Sequence, residues 1–305
     1  MSTCKSKQPT PPPDTPKLPK LSDDLTADVL KACSNHLDEK PSPDYVLGKY
    51  KTSPQATTWR EYLMWAMLRI RDKHGHLRPL ILNRAQIEIL ETELIRKPVF
   101  DHSFLIKLSK GVYSEKSVRF AFIQFSKHIQ IFTSCLAALM CRAPTIRDRT
   151  VLYDNFQEEM GQGSLLGTHY MLYLRMLNSM GISAEEVDRT ETMVSMMVLN
   201  DALEAAVHRS FVSGLAWLGL GGEFTIPNNF PYLAAAAKKT FAVIDTGFFE
   251  RHGERDDGHH CDSNLLLAMH MKSKEDVALV RAEALKSLWL RSNVWDELGT
   301  LSQFR

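Results

Sequence analysis

The sequence FFERHGERDDGHH, residues 248–260, places His252, Asp256 and His259 at steps of four and then three. In an α-helix such positions share one face, so a single stripe presents an imidazole, a carboxylate and a second imidazole. That donor set suits Fe, Mn, Zn or Ni, and carboxylate mixed with imidazole is the usual ligation of non-haem iron. The plainer reading is an exposed, charge-rich helix whose two histidines are incidental. The choice turns on whether the rest of the chain supplies complementary ligands.

Two further clusters do. DNFQEEMGQGSLLGTHY, residues 154–170, carries Glu158, Glu159 and His169. On an unbroken helix Glu159 and His169 would lie about 15 Å apart along the axis and about 80° apart around it. They can share an ion only if the helix breaks, and Gly161, Gly163 and Gly167 supply the break. The alternative is an ordinary helix–turn–helix with a surface Glu pair. In GLAWLGLGGEFTIP, residues 214–227, Glu223 emerges from an apolar run. A carboxylate buried there must be paired, protonated or bound to a metal. Gly219, Gly221 and Gly222 would let another helix approach or leave room beside the carboxylate; alternatively Glu223 reaches solvent at a helix end before Pro227 stops the chain. Together Glu159, His169, Glu223, His252, Asp256 and His259 make three carboxylates and three imidazoles on different helices, the way bundles build dinuclear carboxylate sites. Structural zinc would be expected to use Cys, and the cysteines here are misplaced for it.

The elements that must hold these residues read as helices. TWREYLMWAMLRIRDKH has apolar residues at helical spacing, with Thr58 as N-cap, and LILNRAQIEILETELIRK, residues 80–97, is amphipathic and stopped by Pro98. An apolar stretch over 117–141 closes at Ala143-Pro144. Further helices are expected over 148–160, 165–180, 184–209, 212–223, 248–270 and 273–301. Alternating strands, Asn-Gly hairpin turns and repeats of fixed period are absent. The expectation is an all-α domain over 57–305 with about seven to nine helices. A Pro-rich disordered tail over 1–22 and an N-terminal helix and linker over 23–56 precede it.

Bulk composition excludes other classes. At 305 residues, 44% apolar and 24% charged, the chain reads as an ordinary soluble domain with a substantial core. A formal net charge of +1 gives no electrostatic case for nucleic acid or an anionic membrane as partner. No apolar run approaches bilayer length, and the N-terminus lacks a hydrophobic signal segment. Cys4, Cys33, Cys135, Cys141 and Cys261 are scattered without CxxC spacing, which suits reduced thiols in a cytoplasmic protein.

The ordered set of ligands carries a resemblance. Glu159 and His169 ten residues on, Glu223 after a Gly-rich apolar helix, then His252-x3-Asp256-x2-His259 resemble the haem-oxygenase-like diiron oxidases and oxygenases, over roughly residues 80–301. The flanking N-x3-E-x-G-x-G, E-x3-P and FFE patterns fit the same family. The resemblance implies a haem-oxygenase-like helical bundle holding two Fe2+ ions, with O2 as cosubstrate. It implies His169, His259 and Glu159 at one iron, Glu223, His252 and Asp256 at the other, and Glu159 as bridge. Some N-oxygenating members carry a further Glu upstream; this chain has Gln130 and Thr133 there. Haem is not expected, because the proximal His would fall on the first helix of the fold and residues 80–97 have none.

The activity so implied is O2-dependent oxidation of an amino acid or related amine, foremost at nitrogen. Desaturation or C–C cleavage of an amino acid or fatty acid is the alternative, and a metal-free thiaminase-like hydrolase or binding protein is the contrasting class. For substrate contact the stretch over 117–141 offers Arg119, Gln124, Lys127, His128 and Gln130, and the helix after His169 offers Tyr170, Tyr173 and Arg175. Lys127 or Arg175 could hold a carboxylate, and Tyr170 could line the pocket. The expected partners are a small-molecule amino acid or amine and an external electron donor, and a homodimer is compatible with the sequence.

Overall fold

The computed structural model describes residues 77–304, with the side chains of 77–82 and 253–258 outside the described residues. The expected tail over 1–22, the helix and linker over 23–56 and the helix beginning near Thr58 also lie outside them. The chain divides into two units, Met1–Leu82 and Asn83–Arg305, and all the candidate ligands belong to the second.

Every regular element among the described residues is helical. After α1 (Leu77–Leu94) comes a short α2 (Ser103–Ser109), begun by the His102 ring, which accepts from the Phe104 N–H. The long α3 (Glu115–Arg142) starts on a Ser114 cap and ends at Ala143. A reciprocal pair of bonds between Thr145 and Asp148 opens α4 (Ile146–Glu159). Thr168 caps α5 (His169–Ser179), Ser183 caps α6 (Ala184–Arg189), and α7 (Val194–Arg209) and α8 (Phe211–Leu215) follow. The chain closes with α9 (Ile226–Thr240), α10 (Gly247–His270) and α11 (Lys274–Leu301), the last opened by a Ser273–Asp276 capping box.

Three departures from the sequence pattern have physical causes. The helix expected over 184–209 is split into α6 and α7. The side-chain amide of Gln124 on α3 donates to the Glu191 carbonyl and accepts from the Met193 N–H, replacing helical bonds with tertiary ones. Pro227 does not stop the chain. It sits in the first turn of α9, where proline's missing N–H costs nothing. The helix expected over 212–223 becomes α8, a π-turn over Ala216–Leu220 and a 3-10 turn over Glu223–Thr225. The wider π-turn changes the angular register, and hence the direction in which the following residues point.

That π-turn is the packing centre of the body. All five of its residues are buried, and α10 and α11 both pass against it. They approach closely because the side chains they would meet are missing. A Cβ on Gly219 would stand 2.5 Å from the Ser263 Cβ of α10, and one on Gly221 would stand 2.3 Å from the Ser287 Cβ of α11. Along α11, Val280, Ala284, Leu288, Trp295 and Leu298 form the buried stripe, each large one contributing about 1.5–3 kcal/mol on burial. The one carboxylate in that stripe, Glu283, accepts from Trp217 Nε1 at 2.5 Å and pairs with Arg209. No described helix is long and apolar enough to cross a membrane.

Gly219→Ala is expected to cost about 1–3 kcal/mol by overpacking against α10. Since the next atom beyond the Ser263 side chain, its Cα, lies 3.9 Å away, adding Ser263→Gly should recover part of that loss. Urea unfolding of the four forms of this double-mutant cycle measures the coupling.

Candidate metal centre

The helix break anticipated after Glu159 is formed by three consecutive left-handed residues, Gly161 (φ 68°), Gln162 (φ 54°) and Gly163 (φ 89°). The loop closes on itself so tightly that a Cβ on Gly161 would lie 2.4 Å from the Gly167 carbonyl carbon. Thr168 then caps α5, whose first residue is His169. Two residues that an unbroken helix would hold far apart come together, with His169 Nδ1 2.8 Å from Glu159 Oε2.

His252 joins them from α10. Its Nδ1 donates to the Phe248 carbonyl one turn earlier at 2.8 Å, which fixes the ring and leaves the Nε2 lone pair for another partner. The His252 and His169 rings stand 4.5 Å apart. One ligand atom from each of Glu159, His169 and His252 lies within 4.8 Å of the other two.

A second group lies alongside. Glu223 accepts from Asn155 Nδ2 at 2.8 Å and from Ser263 Oγ at 3.3 Å. His259 Nε2 is 2.7 Å from Glu158 Oε2. The five residues Glu159, His169, Glu223, His252 and His259 are each between 3% and 7% exposed. Asp256 lies on α10, but its side chain is outside the described residues. His260 turns the other way, with Nε2 2.5 Å from Glu91 Oε1 of α1 and its ring stacked on Phe224.

The structure therefore places His252, where the resemblance implied His259, beside Glu159 and His169. The two histidines are about 10.5 Å apart along α10. The fold-back loop delivers His169 to the earlier one, while Glu158 at the end of α4 takes the later one.

Burial and mutual charge set the protonation. Burial pushes the Glu159 carboxyl up, but the neighbouring imidazoles of His169, His252 and His259 bring it below the usual carboxylate range. For Glu223 burial wins over His259 and the Asn155 bond, and its carboxyl is raised. Burial, with His169 beside it, pushes His252 down to about 4. His259 is also disfavoured as a cation by burial, but its bond to Glu158 and the charges of Glu223 and Glu159 bring it up to about 9.

The donors fit a divalent metal. Both ring nitrogens of His169 are buried without a properly directed hydrogen bond, Glu159 approaching Nδ1 closely but off line. Leaving such groups unsatisfied costs about 1–3 kcal/mol, and a cation at a lone pair removes that cost. Carboxylates and imidazoles without thiolate are the donors of iron and manganese centres.

The cluster opens on a cavity of about 70 Å³, walled by Phe125, Phe230, Leu233 and Trp295, with His128 and Arg291 among its polar residues. None of the three substrate-contact candidates lines it. Lys127 Nζ donates to the Val187 carbonyl at 2.6 Å, because a 100° step along α3 turns it toward α6 while its neighbour His128 faces inward. Arg175 pairs with Asp245 at 2.6 Å on a side chain 56% exposed, and Tyr170 is half-buried outside the cavity. Arg119 bonds to the Met180 and Gly181 carbonyls, and Tyr173 OH donates to the Phe122 carbonyl. Asn155 and Arg291 escaped the sequence reading. For Arg291 a signal exists: it occupies a core position of α11, four residues from both Ser287 and Trp295.

Comparison with known proteins agrees with this chemistry. A family model described as "Iron-containing redox enzyme" matches residues 119–292. A 4-aminobenzoate synthase of Chlamydia trachomatis serovar D is 21% identical over 211 residues, covering 67% of this chain and 88% of that protein. Its Chlamydia muridarum counterpart is 22% identical, covering 67% and 86%. Among solved structures, a CadD-like protein of unknown function from Nostoc punctiforme superposes with a TM-score of 0.61 at 15% identity, covering 72% of this chain and 95% of that one. A domain with a heme oxygenase-like fold from Shewanella denitrificans gives 0.56 at 17% identity, covering 72% and 91%. The fold is thus haem-oxygenase-like.

His128 and His252 make stability depend on pH. His128 donates from Nδ1 to Asn200 Oδ1 at 2.8 Å, and burial together with the Arg291 cation pushes it down to about 3. Unfolded, both imidazoles bind protons at the ordinary 6.5. Below that pH the unfolded chain gains protons that the folded one refuses, so stability falls by about 1.4 kcal/mol per pH unit for each group. The contribution of His259, whose folded value is raised, is complete below 6.5 and is lost between 6.5 and about 9. The melting temperature in chelator-treated buffer should therefore peak near pH 6.5, and His128→Gln should shallow its acid limb.

Proposed function

The chain belongs to this family of iron-containing redox enzymes, and from that premise we propose that it is a non-haem diiron enzyme using O2 to oxidise an amino acid or related amine, foremost at nitrogen. The observation that carries the reading is the convergence of Glu159, His169 and His252, with neither His169 nitrogen making a well-directed hydrogen bond in a buried interior. In this reading those three hold one iron, and Glu223 and His259 hold the second with Asp256, Glu158 lying beside it. Two curated relatives bear the name 4-aminobenzoate synthase, which supports chemistry on a small nitrogen-containing acid.

Bound iron would supply the electrons and the O2 chemistry. The chain's own residues do the rest. The Phe248 carbonyl holds the His252 ring by its Nδ1 proton. Asn155 and Ser263 orient the two oxygens of Glu223. Glu158 holds the proton on His259 Nε2, and that proton must leave before His259 can act as a ligand through this nitrogen. The cavity walls are largely apolar and aromatic, so that charges inside it are weakly screened.

Anaerobic titration with Fe(II) should show uptake of about two irons per chain. His169→Ala and Glu223→Ala should each reduce that number, and product analysis after O2 addition should show oxygen-dependent change in an amine-bearing substrate. A wild-type chain that takes up no iron would overturn the reading.

A further inference from the structure

We propose that Arg291, with Trp295 one turn later on α11, is the seat for a substrate carboxylate, so that the cavity accepts a small monoanionic acid with an apolar or aromatic body. This rests on the diiron reading, since it takes the cavity beside that centre as the substrate site.

Arg291 is only 9% exposed and lines the cavity, yet among the described residues no acid forms an ion pair with it and its Nε has no hydrogen-bond partner. Burial alone pushes its guanidinium down to about 10. Its fate contrasts with that of Arg209, which pairs with the buried Glu283. A desolvated guanidinium without a counter-ion is strongly unfavourable, and a fold retains one where a ligand supplies the missing charge. The structure also makes room for it. Gly222 has no side chain, and a Cβ there would meet Arg291 Nη2 at 3.1 Å, immediately before the candidate ligand Glu223.

Trp295 carries a second unsatisfied donor. Its Nε1 is buried without a partner, and its ring faces Phe125 at 6.1 Å between centroids. Arginine and the indole N–H have donors and no acceptor, and both demand an acceptor-only group. The planar fork of the guanidinium matches a carboxylate. The neighbouring imidazole, His128, stays neutral and brings no competing charge. The acids lining the cavity are Glu159 and Glu223 of the centre itself. The remaining unpaired atom, Asn229 Oδ1, is an acceptor suited to an N–H or O–H on the ligand body. The cavity of about 70 Å³ has room for about two water molecules at their liquid volume, the size of a carboxylate group. The body of the ligand must therefore displace the aromatic walls or extend out of the cavity.

The test uses the full chain, held anaerobically with and without Fe(II), and calorimetric titration with benzoate, phenylacetate and 3-phenylpropanoate and with their uncharged amides. The acids should bind and the amides should not. Arg291→Met should weaken acid binding by roughly 10- to 100-fold, while iron uptake is unchanged and the ligand-free melting temperature is equal or higher, since an unpaired buried charge has gone. Arg291→Lys should give intermediate affinity, and it carries the comparison if Arg291→Met does not fold. Equal binding of acids and amides, acid binding unaffected in both variants, or no binding of any acid to the wild type would overturn the proposal. Acid binding that survives in a chain taking up no iron would sink the diiron reading alone, and iron uptake without any acid binding would sink only the role of Arg291.

Discussion

The structure depends on the burial of charge. Two carboxylates and three imidazoles, from Glu159, Glu223, His169, His252 and His259, sit in an apolar helical body that screens them poorly. Such a group is stable only where each member has a partner or gains one from a ligand. Asn155 and Ser263 serve Glu223, the Phe248 carbonyl serves His252, and Glu158 serves His259. His169 is left over, in contact with Glu159 but not properly bonded by it. That remainder suits a bound cation, on grounds independent of any likeness to other proteins.

Bringing these residues together requires departures from regular helix, and glycine provides most of them. The left-handed turn at Gly161–Gly163 reverses the chain between Glu159 and His169. Gly219 within the π-turn at Ala216–Leu220, and Gly221 and Gly222 just after it, have no side chain where Ser263 of α10 and Ser287 and Arg291 of α11 pass, which lets these come close. The same substitutions of hydrogen for Cβ thus serve packing and site geometry at once. A haem-oxygenase-like bundle gains its centre from irregular turns wedged between long helices.

The cavity wall carries both satisfied and unsatisfied polar groups. Away from it, Glu283 is satisfied by Trp217 and Arg209, and on it His128 is satisfied by Asn200. On it, Arg291, Trp295, Asn229 and His169 each keep an unsatisfied atom. Membership of an iron-containing redox family and unpaired polar groups on the wall of one cavity point the same way. The family is one of iron-containing enzymes, and the buried groups on this wall include donors suited to iron.

The all-helical character was legible in the sequence, and so were the donor types now found buried at Glu159, His169, Glu223, His252 and His259, because helical periodicity and the types of donor are local properties. So was the break after Glu159, since glycine spacing alone announces it. Tertiary structure decided the rest. It set His252, in place of His259, beside Glu159 and His169, because which of two histidines on one stripe meets a given partner depends on where a separate helix docks. It turned Lys127 and Arg175 outward to Val187 and Asp245 and turned Arg291 inward, since a long cation's direction is fixed by what packs around it. It split the helix over 184–209 through Gln124, a residue some seventy positions away, whose contact no local pattern encodes. The ligand types were written locally; their pairing arose from long-range packing.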